Sequence, residues 1–247
     1  MEKKLKIDIS SATLHMLAMA FMLCDHLWAT IVPGNDWLTC VGRLAFPMFA
    51  FMTVEGYFHT GSVEKYAKRL LVFAIISEIP FNLMMASAPV FPIHQNVLWT
   101  LLMGLLLIHA NETVRKKGKL WLTVLTGVLT VAAGFVAGYL LMVDYYGVGV
   151  LTVLVFYFFR HRKWWCFAGQ LAALYYLNVE MLSGLYYQVE LFGQTFNVVQ
   201  QGLALLALVP IWLYKGRQGH NSKVFKYFCY WFYPVHMLVL ALIFMAS

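Results

Sequence analysis

The chain has 247 residues, of which 62% are hydrophobic, 17% aromatic and only 12% charged, and its mean hydropathy is +0.71. A soluble domain carries about a quarter charged residues, so this composition excludes a soluble globular, disordered or secreted protein. A net charge of +7 would suggest a nucleic-acid partner in a soluble chain. Here it belongs to membrane topology, and no nucleic acid is expected.

Long continuous apolar stretches, such as residues 120–142, replace the dyad alternation of a membrane barrel and predict an all-α transmembrane bundle. Taken in chain order, spans are expected at roughly 12–32, 38–58, 66–86, 96–111, 120–142, 146–159, 164–183, 197–214 and 227–246. That is a polytopic bundle of about nine transmembrane helices with short loops, read as one domain over residues 1–247. Ala18-Met19-Ala20 resembles a signal-peptide cleavage site, but the apolar run continues past it, so an uncleaved first span is expected.

The basic residues test this order. Lys3, Lys4 and Lys6 precede the first span, and Lys65, Lys68 and Arg69 follow the second. Arg115, Lys116, Lys117 and Lys119 follow the fourth; Arg160, Arg162 and Lys163 follow the sixth. Lys215, Arg217, Lys223 and Lys226 lie between the eighth and ninth, while the loops at 33–37, 87–95, 143–145 and 184–196 hold no Lys or Arg. By the positive-inside rule the N-terminus is cytoplasmic and the C-terminus outside. Cys24, Cys40, Cys166 and Cys229 form no CxxC and no Cys/His pair. They read as small core residues, and no metal is expected.

Ionisable side chains in hydrocarbon cost about 3 kcal/mol or more each, so they mark function by default. They are His15, Asp25 and His26 in span one, Arg43, Glu55 and His59 in span two, Glu78 in span three, Glu180 in span seven and His236 in span nine. Alternating span direction places Asp25, His26, Arg43 and Glu78 at depths where one outer pocket can hold them. Glu55, His59 and His15 fall near the cytoplasmic end. His15 and His26 are eleven residues apart, close to three helical turns, with Met19 and Met22 between them. This traces a line about 16 Å long from cytoplasm to outer pocket.

The Asp25-His26 pair carries the most specific signal, since a carboxylate can orient a histidine as general base. Neighbours on a helix point about 100° apart, so Glu78 or Glu55 is an alternative orienting group. A buried network that merely holds helices together is the plainer reading. Arg43 is either a charge partner for Asp25 or Glu78, or a ligand for an anion or carbonyl oxygen. Glu78 and Asn82, beside Pro80, line a cavity or mark a packing kink. Asn96 is a substrate hydrogen-bond donor or a helix cap. His236, beside Pro234, is a satisfied core histidine or one more member of a substrate-binding set with Arg43, Glu55, Glu78, Asn82 and Asn96.

These residues stand in motifs that resemble the TraX family. Met22-Leu23-Cys24-Asp25-His26, Val41-Gly42-Arg43-Leu44-Ala45-Phe46-Pro47 and Val54-Glu55-Gly56-Tyr57-Phe58-His59 come first. Tyr66-Ala67-Lys68-Arg69-Leu70, Ser77-Glu78-Ile79-Pro80-Phe81-Asn82 and Gln95-Asn96-Val97-Leu98-Trp99-Thr100 follow, and Tyr233-Pro234-Val235-His236 closes the chain. The match is dense over residues 15–110 and returns at 225–240.

The family is named for a conjugative-plasmid protein that acetylates pilin N-termini, and it resembles the wider group of multispan acyltransferases. The resemblance implies an acyl-CoA-dependent membrane acetyltransferase in the bacterial inner membrane. His26 would be the catalytic centre and Asp25 its acidic neighbour. Acetyl-CoA would enter as co-substrate from the cytoplasm, its phosphates on Lys65, Lys68, Arg69, Arg115 and Lys116. The acceptor would be a pilin-like peptide, a glycan or a lipid. Two other classes remain open from the residues: a proton-coupled transporter with Asp25, His26, Glu55 and Glu78 as relay, and a non-catalytic scaffold for a pilin-like partner.

Overall fold

A computed structural model describes residues 8–191, 193–220 and 222–246; the expected basic leader Lys3, Lys4 and Lys6 lies outside the described residues. Helix α1 (Ser11–Thr30) starts where Ser10 accepts a hydrogen bond from the Thr13 amide, a side-chain N-cap. It is followed by α2 (Asp36–Gly42), α3 (Ala45–His59) and α4 (Val63–Ala86), the last capped by Ser62. Next come α5 (Val97–Arg115), α6 (Leu120–Leu140), α7 (Tyr146–Phe158) and α8 (Trp164–Tyr175), which runs into a π-helical segment at Tyr176–Leu182. A hairpin of β1 (Tyr186–Leu191) and β2 (Gln194–Val199) precedes a 3-10 helix, Gln200–Ala207, which leads into α9 (Leu208–Leu213). Helix α10 (Lys223–Ala246) completes the bundle.

Six segments among the described residues are long and apolar enough to cross a membrane: α1, α2 with α3, α4, α5, α6 and α10. The chain is a multi-pass helical membrane protein. Of the other three expected spans, two are shorter apolar helices, α7 and the one running through 200–213, and the third is α8 with its π segment. Most of α6 faces outward; Thr130, Gly134 and Gly138 are its buried residues.

Two expected spans differ in form. The second is broken at Arg43–Leu44, between α2 and α3. Pro47 has no N–H to return to the carbonyl of residue 43, so the ladder stops there. The eighth was expected to begin at 197, but residues 194–199 are the second strand of the antiparallel hairpin. Thr195, Phe196, Val198 and Val199 favour a pleated backbone over a helix, and Gly193 supplies the positive φ of +75° at the bend.

The two ends of the bundle are tied by loop contacts. At one end the amides of Ser11 and Ala12 donate to the carbonyls of Arg217 and Gln218, at 2.8 and 3.0 Å. At the other, the Gln95 amide donates to the Met142 carbonyl at 2.8 Å and the Thr100 hydroxyl to that of Asp144 at 2.7 Å. The loops free of Lys and Arg at 87–95 and 143–145 thus meet one another. Between them Leu14, Met48, Leu105, Phe156 and Met237 fill a continuous buried core.

Candidate functional site

Helices α1 and α10 bring two histidines together across 210 residues of sequence: Nδ1 of His26 lies 2.7 Å from Nε2 of His236. The rings are parallel within 4°, with centroids 4.9 Å apart. Nδ1 of His236 lies 2.6 Å from the carbonyl oxygen of Phe232, one turn back on α10. His236 is therefore the partner that none of the expected carboxylates, Asp25, Glu55 or Glu78, provides.

Asp25 turns away from His26. It pairs with the Arg43 guanidinium and accepts from the Thr39 hydroxyl at 2.7 Å. Arg43 also donates through Nη2 to Thr39 Oγ1 at 2.9 Å and through Nη1 to Gln201 Oε1 at 3.4 Å. Gln200 donates to Thr39 Oγ1 at 3.1 Å, and Gln201 to Asn178 Oδ1 at 3.0 Å. Arg43 stands at the break between α2 and α3, and Gly42 before it makes room for Asp25: a Cβ there would meet the Asp25 Cβ at 2.5 Å. Of the open alternatives for Arg43, the structure realises the charge partner of Asp25.

Glu78 does not join this group. It takes hydrogen bonds from the Asn96 amide and from Trp99 Nε1, the latter at 3.0 Å. Asn96 also accepts from the Leu98 amide at 3.1 Å, so it is the cap of α5 and a clamp on Glu78 at once. Asn82 donates to the Pro89 carbonyl at 3.3 Å and tethers the loop after α4. Glu55 sits at the far end of α3, bound by Arg160 Nε at 2.8 Å. The four residues expected in one outer pocket thus fall into three groups: Asp25 with Arg43, His26 with His236, and Glu78 with Asn96 and Trp99.

A cavity of about 1000 Å³ opens at the end of the bundle that holds Gln218, His220, Lys223 and Lys226. Arg69, Lys223 and Lys226 line its mouth together with His59 and His220, and Glu55 is part of its wall. Inward it follows His15, Met19 and Met22 along α1, and reaches Val97 and Tyr233. Met22 and Tyr233 lie four and three residues before His26 and His236, so the deep end stops about one turn, roughly 5 Å, short of the histidine pair. Of the line from His15 to His26 expected on α1, the stretch from His15 to Met22 is a cavity wall.

Of the five basic residues expected to hold phosphates, Arg69 alone lines this cavity. It shares one face of α4 with Tyr66, Leu70 and Phe73, at the spacing of neighbours on a helix. Lys68 pairs with Glu64 at 2.7 Å, Lys65 is exposed beside it, and Arg115 folds back on Glu112 at 2.7 Å with Lys116 exposed next in sequence. Lys223 and Lys226, at the start of α10, line the cavity with Arg69. The amides of Asn178, Gln200 and Gln201 are not among the residues expected from sequence, where Asn82 and Asn96 are the amides singled out; an amide pair at the start of an expected span was the available signal.

The family model described as TraX protein matches residues 10–244. Among curated proteins, the probable fimbrial assembly protein FimC, serogroup H1, of Dichelobacter nodosus is 29% identical over 248 residues, covering 95% of each chain. No solved structure gives a significant match.

Proposed function

This chain belongs to the TraX family, and on that footing we propose that it is an integral-membrane acetyltransferase drawing on cytoplasmic acetyl-CoA. One observation carries the reading: a cavity with cationic groups at its mouth ends one turn below a paired histidine inside an apolar bundle. The phosphates of CoA are too highly charged to leave water and would rest on Arg69, Lys223 and Lys226. The pantetheine arm, about 15–20 Å when extended, spans the distance from His15 to His26. The wall it would pass, with Met19, Met22, Phe49 and Met52, is apolar and adaptable.

At the deep end, His26 would take the proton of an acceptor hydroxyl or amine as the new bond to the acetyl carbon forms. The C–S bond then breaks, and the CoA thiolate leaves with that proton. A variant of the scheme has His26 accept the acetyl group first. Arg43, held by Asp25 and Thr39 with Nη1 only loosely engaged, would face the developing oxyanion. A pilin-like acceptor is favoured over a glycan or lipid because the relative from Dichelobacter nodosus is named a fimbrial assembly protein. The same name keeps a scaffold for such a partner as the second reading.

The test is acetyl-CoA binding and CoA release by the purified protein in detergent, with His26→Ala alongside. Micromolar binding with slow, His26-dependent release is the expected result. A monodisperse sample that binds no acetyl-CoA, or a His26→Ala protein that turns over like wild type, overturns the enzyme reading and brings the scaffold forward.

A further inference from the structure

A histidine acts as a base only through a ring nitrogen without a proton, and its neighbours decide which nitrogen that is. On α10, Nδ1 of His236 faces the Phe232 carbonyl at 2.6 Å. A carbonyl oxygen only accepts, so Nδ1–H donates to it, and in the neutral ring Nε2 carries the lone pair. That lone pair lies 2.7 Å from Nδ1 of His26, so Nδ1–H of His26 donates to His236. With both rings neutral, Nε2 of His26 is left bare. Its own carboxylate neighbour cannot do this, because Asp25 is held by Arg43 and Thr39.

We propose that His236 is the positioning residue for His26: it fixes the Nδ1–H tautomer and so presents Nε2 as the base. The tautomer follows from the hydrogen bonds alone, while its use in transfer rests on the acetyltransferase reading. When Nε2 takes the acceptor's proton, the charge that forms on His26 is shared through the same Nδ1–H bond to His236. A neutral partner keeps this end of the cavity free of a second carboxylate. The backbone carbonyl of Phe232 is the fixed reference for the relay, and the Phe232 ring, stacked on His236 at 4.7 Å, holds the imidazole in plane with it.

The experiment is ¹⁵N spectroscopy of histidine-labelled protein, with the His26 signals identified by their loss in His26→Ala. It is paired with kinetics of His236→Leu, which removes the acceptor, and His236→Gln, whose amide oxygen can replace Nε2. The expected wild-type spectrum has Nδ1 of His26 protonated and Nε2 bare. His236→Leu should mix the two tautomers and lower kcat about 10²–10⁴-fold, with KM for acetyl-CoA unchanged, and His236→Gln should recover most of the loss. A wild-type His26 protonated at Nε2, or a His236→Leu protein with wild-type spectrum and kcat, overturns the assignment. A bare Nε2 in a protein that releases no CoA supports the tautomer and sinks the transfer reading instead.

Discussion

Two carboxylates sit inside long apolar helices, Asp25 in α1 and Glu78 in α4, and the bundle satisfies them differently. Asp25 meets a guanidinium and a hydroxyl; Gln200 donates to that Thr39 hydroxyl, and Gln201 accepts from the Arg43 guanidinium. Glu78 meets an amide and an indole, both neutral, and its second oxygen is buried without a hydrogen-bond partner among the described residues. The first cluster is a compensated ion pair; the second is a carboxyl group held by dipoles. A compensated pair fails when one member is removed, because the other is stranded as a lone charge. A dipole-held group tolerates loss of its charge so long as an acceptor remains.

The largest effect should come from Arg43→Leu. Stranding Asp25 in the α1–α2 layer is expected to destabilise the protein by about 3–5 kcal/mol, read as a fall in detergent-resistant thermal stability. Asp25→Asn added to Arg43→Leu should recover part of that loss. Strictly additive losses in the double variant would show that the two groups are not a coupled pair. Next in size is Gly42→Val: its new side chain overlaps Asp25, where even a Cβ lies 2.5 Å from the Asp25 Cβ. Overpacking of this kind costs about 1–3 kcal/mol; a neutral outcome would mean that α1 and α2 can separate freely.

Glu78→Gln should be milder, about 1 kcal/mol or less, because the amide oxygen still accepts from Trp99 or Asn96. Glu78→Leu should exceed it by leaving both N–H groups unmet, about 1–3 kcal/mol. If the glutamine variant were as damaged as Arg43→Leu, the charge on Glu78 would matter in a way that its two neutral partners do not explain.

The same contrast explains what sequence could and could not reveal. Helix limits set by local chemistry were legible: α7 was expected at 146–159 and runs over Tyr146–Phe158, and Asn96 caps α5. The concentration of ionisable groups near the N-terminus was legible too. Pairings were not, because nothing local links His26 to His236 across the whole chain, and depth alone could not tell which carboxylate Arg43 would meet. The break after Gly42 was hidden by a hydropathy average that does not separate a bent helix from a straight span, and strands β1 and β2 fall where a loop running into a span at 197 is expected. Lysines counted as one basic cluster were divided by the helix period, which turned Arg69 toward the cavity and left Lys65 and Lys68 outside it.

The smallest expected effect lies where the Glu78 cluster reaches the loops, at His94 and Asp144. Nε2 of His94 is 3.1 Å from Asp144 Oδ1, joining the loop after α4 to the start of α7. The hydrogen bond to Asp144 raises the His94 pKa above its ordinary value, against the opposing effect of burial, and the charges of Asp144 and Glu78 add to the rise. A raised folded-state pKa means that the protonated form is favoured by folding. The contribution is therefore complete below the ordinary histidine value, about 6.5, and is lost as pH climbs through the raised one. For a partly exposed pair it amounts to about 0.2–1 kcal/mol. Unfolding of wild type followed against pH should show this loss, and Asp144→Asn, which keeps an acceptor for the Tyr145 amide, should flatten it. A stability that instead rose with pH over that window, or a slope unchanged in Asp144→Asn, would place the charge on this loop junction elsewhere than on His94.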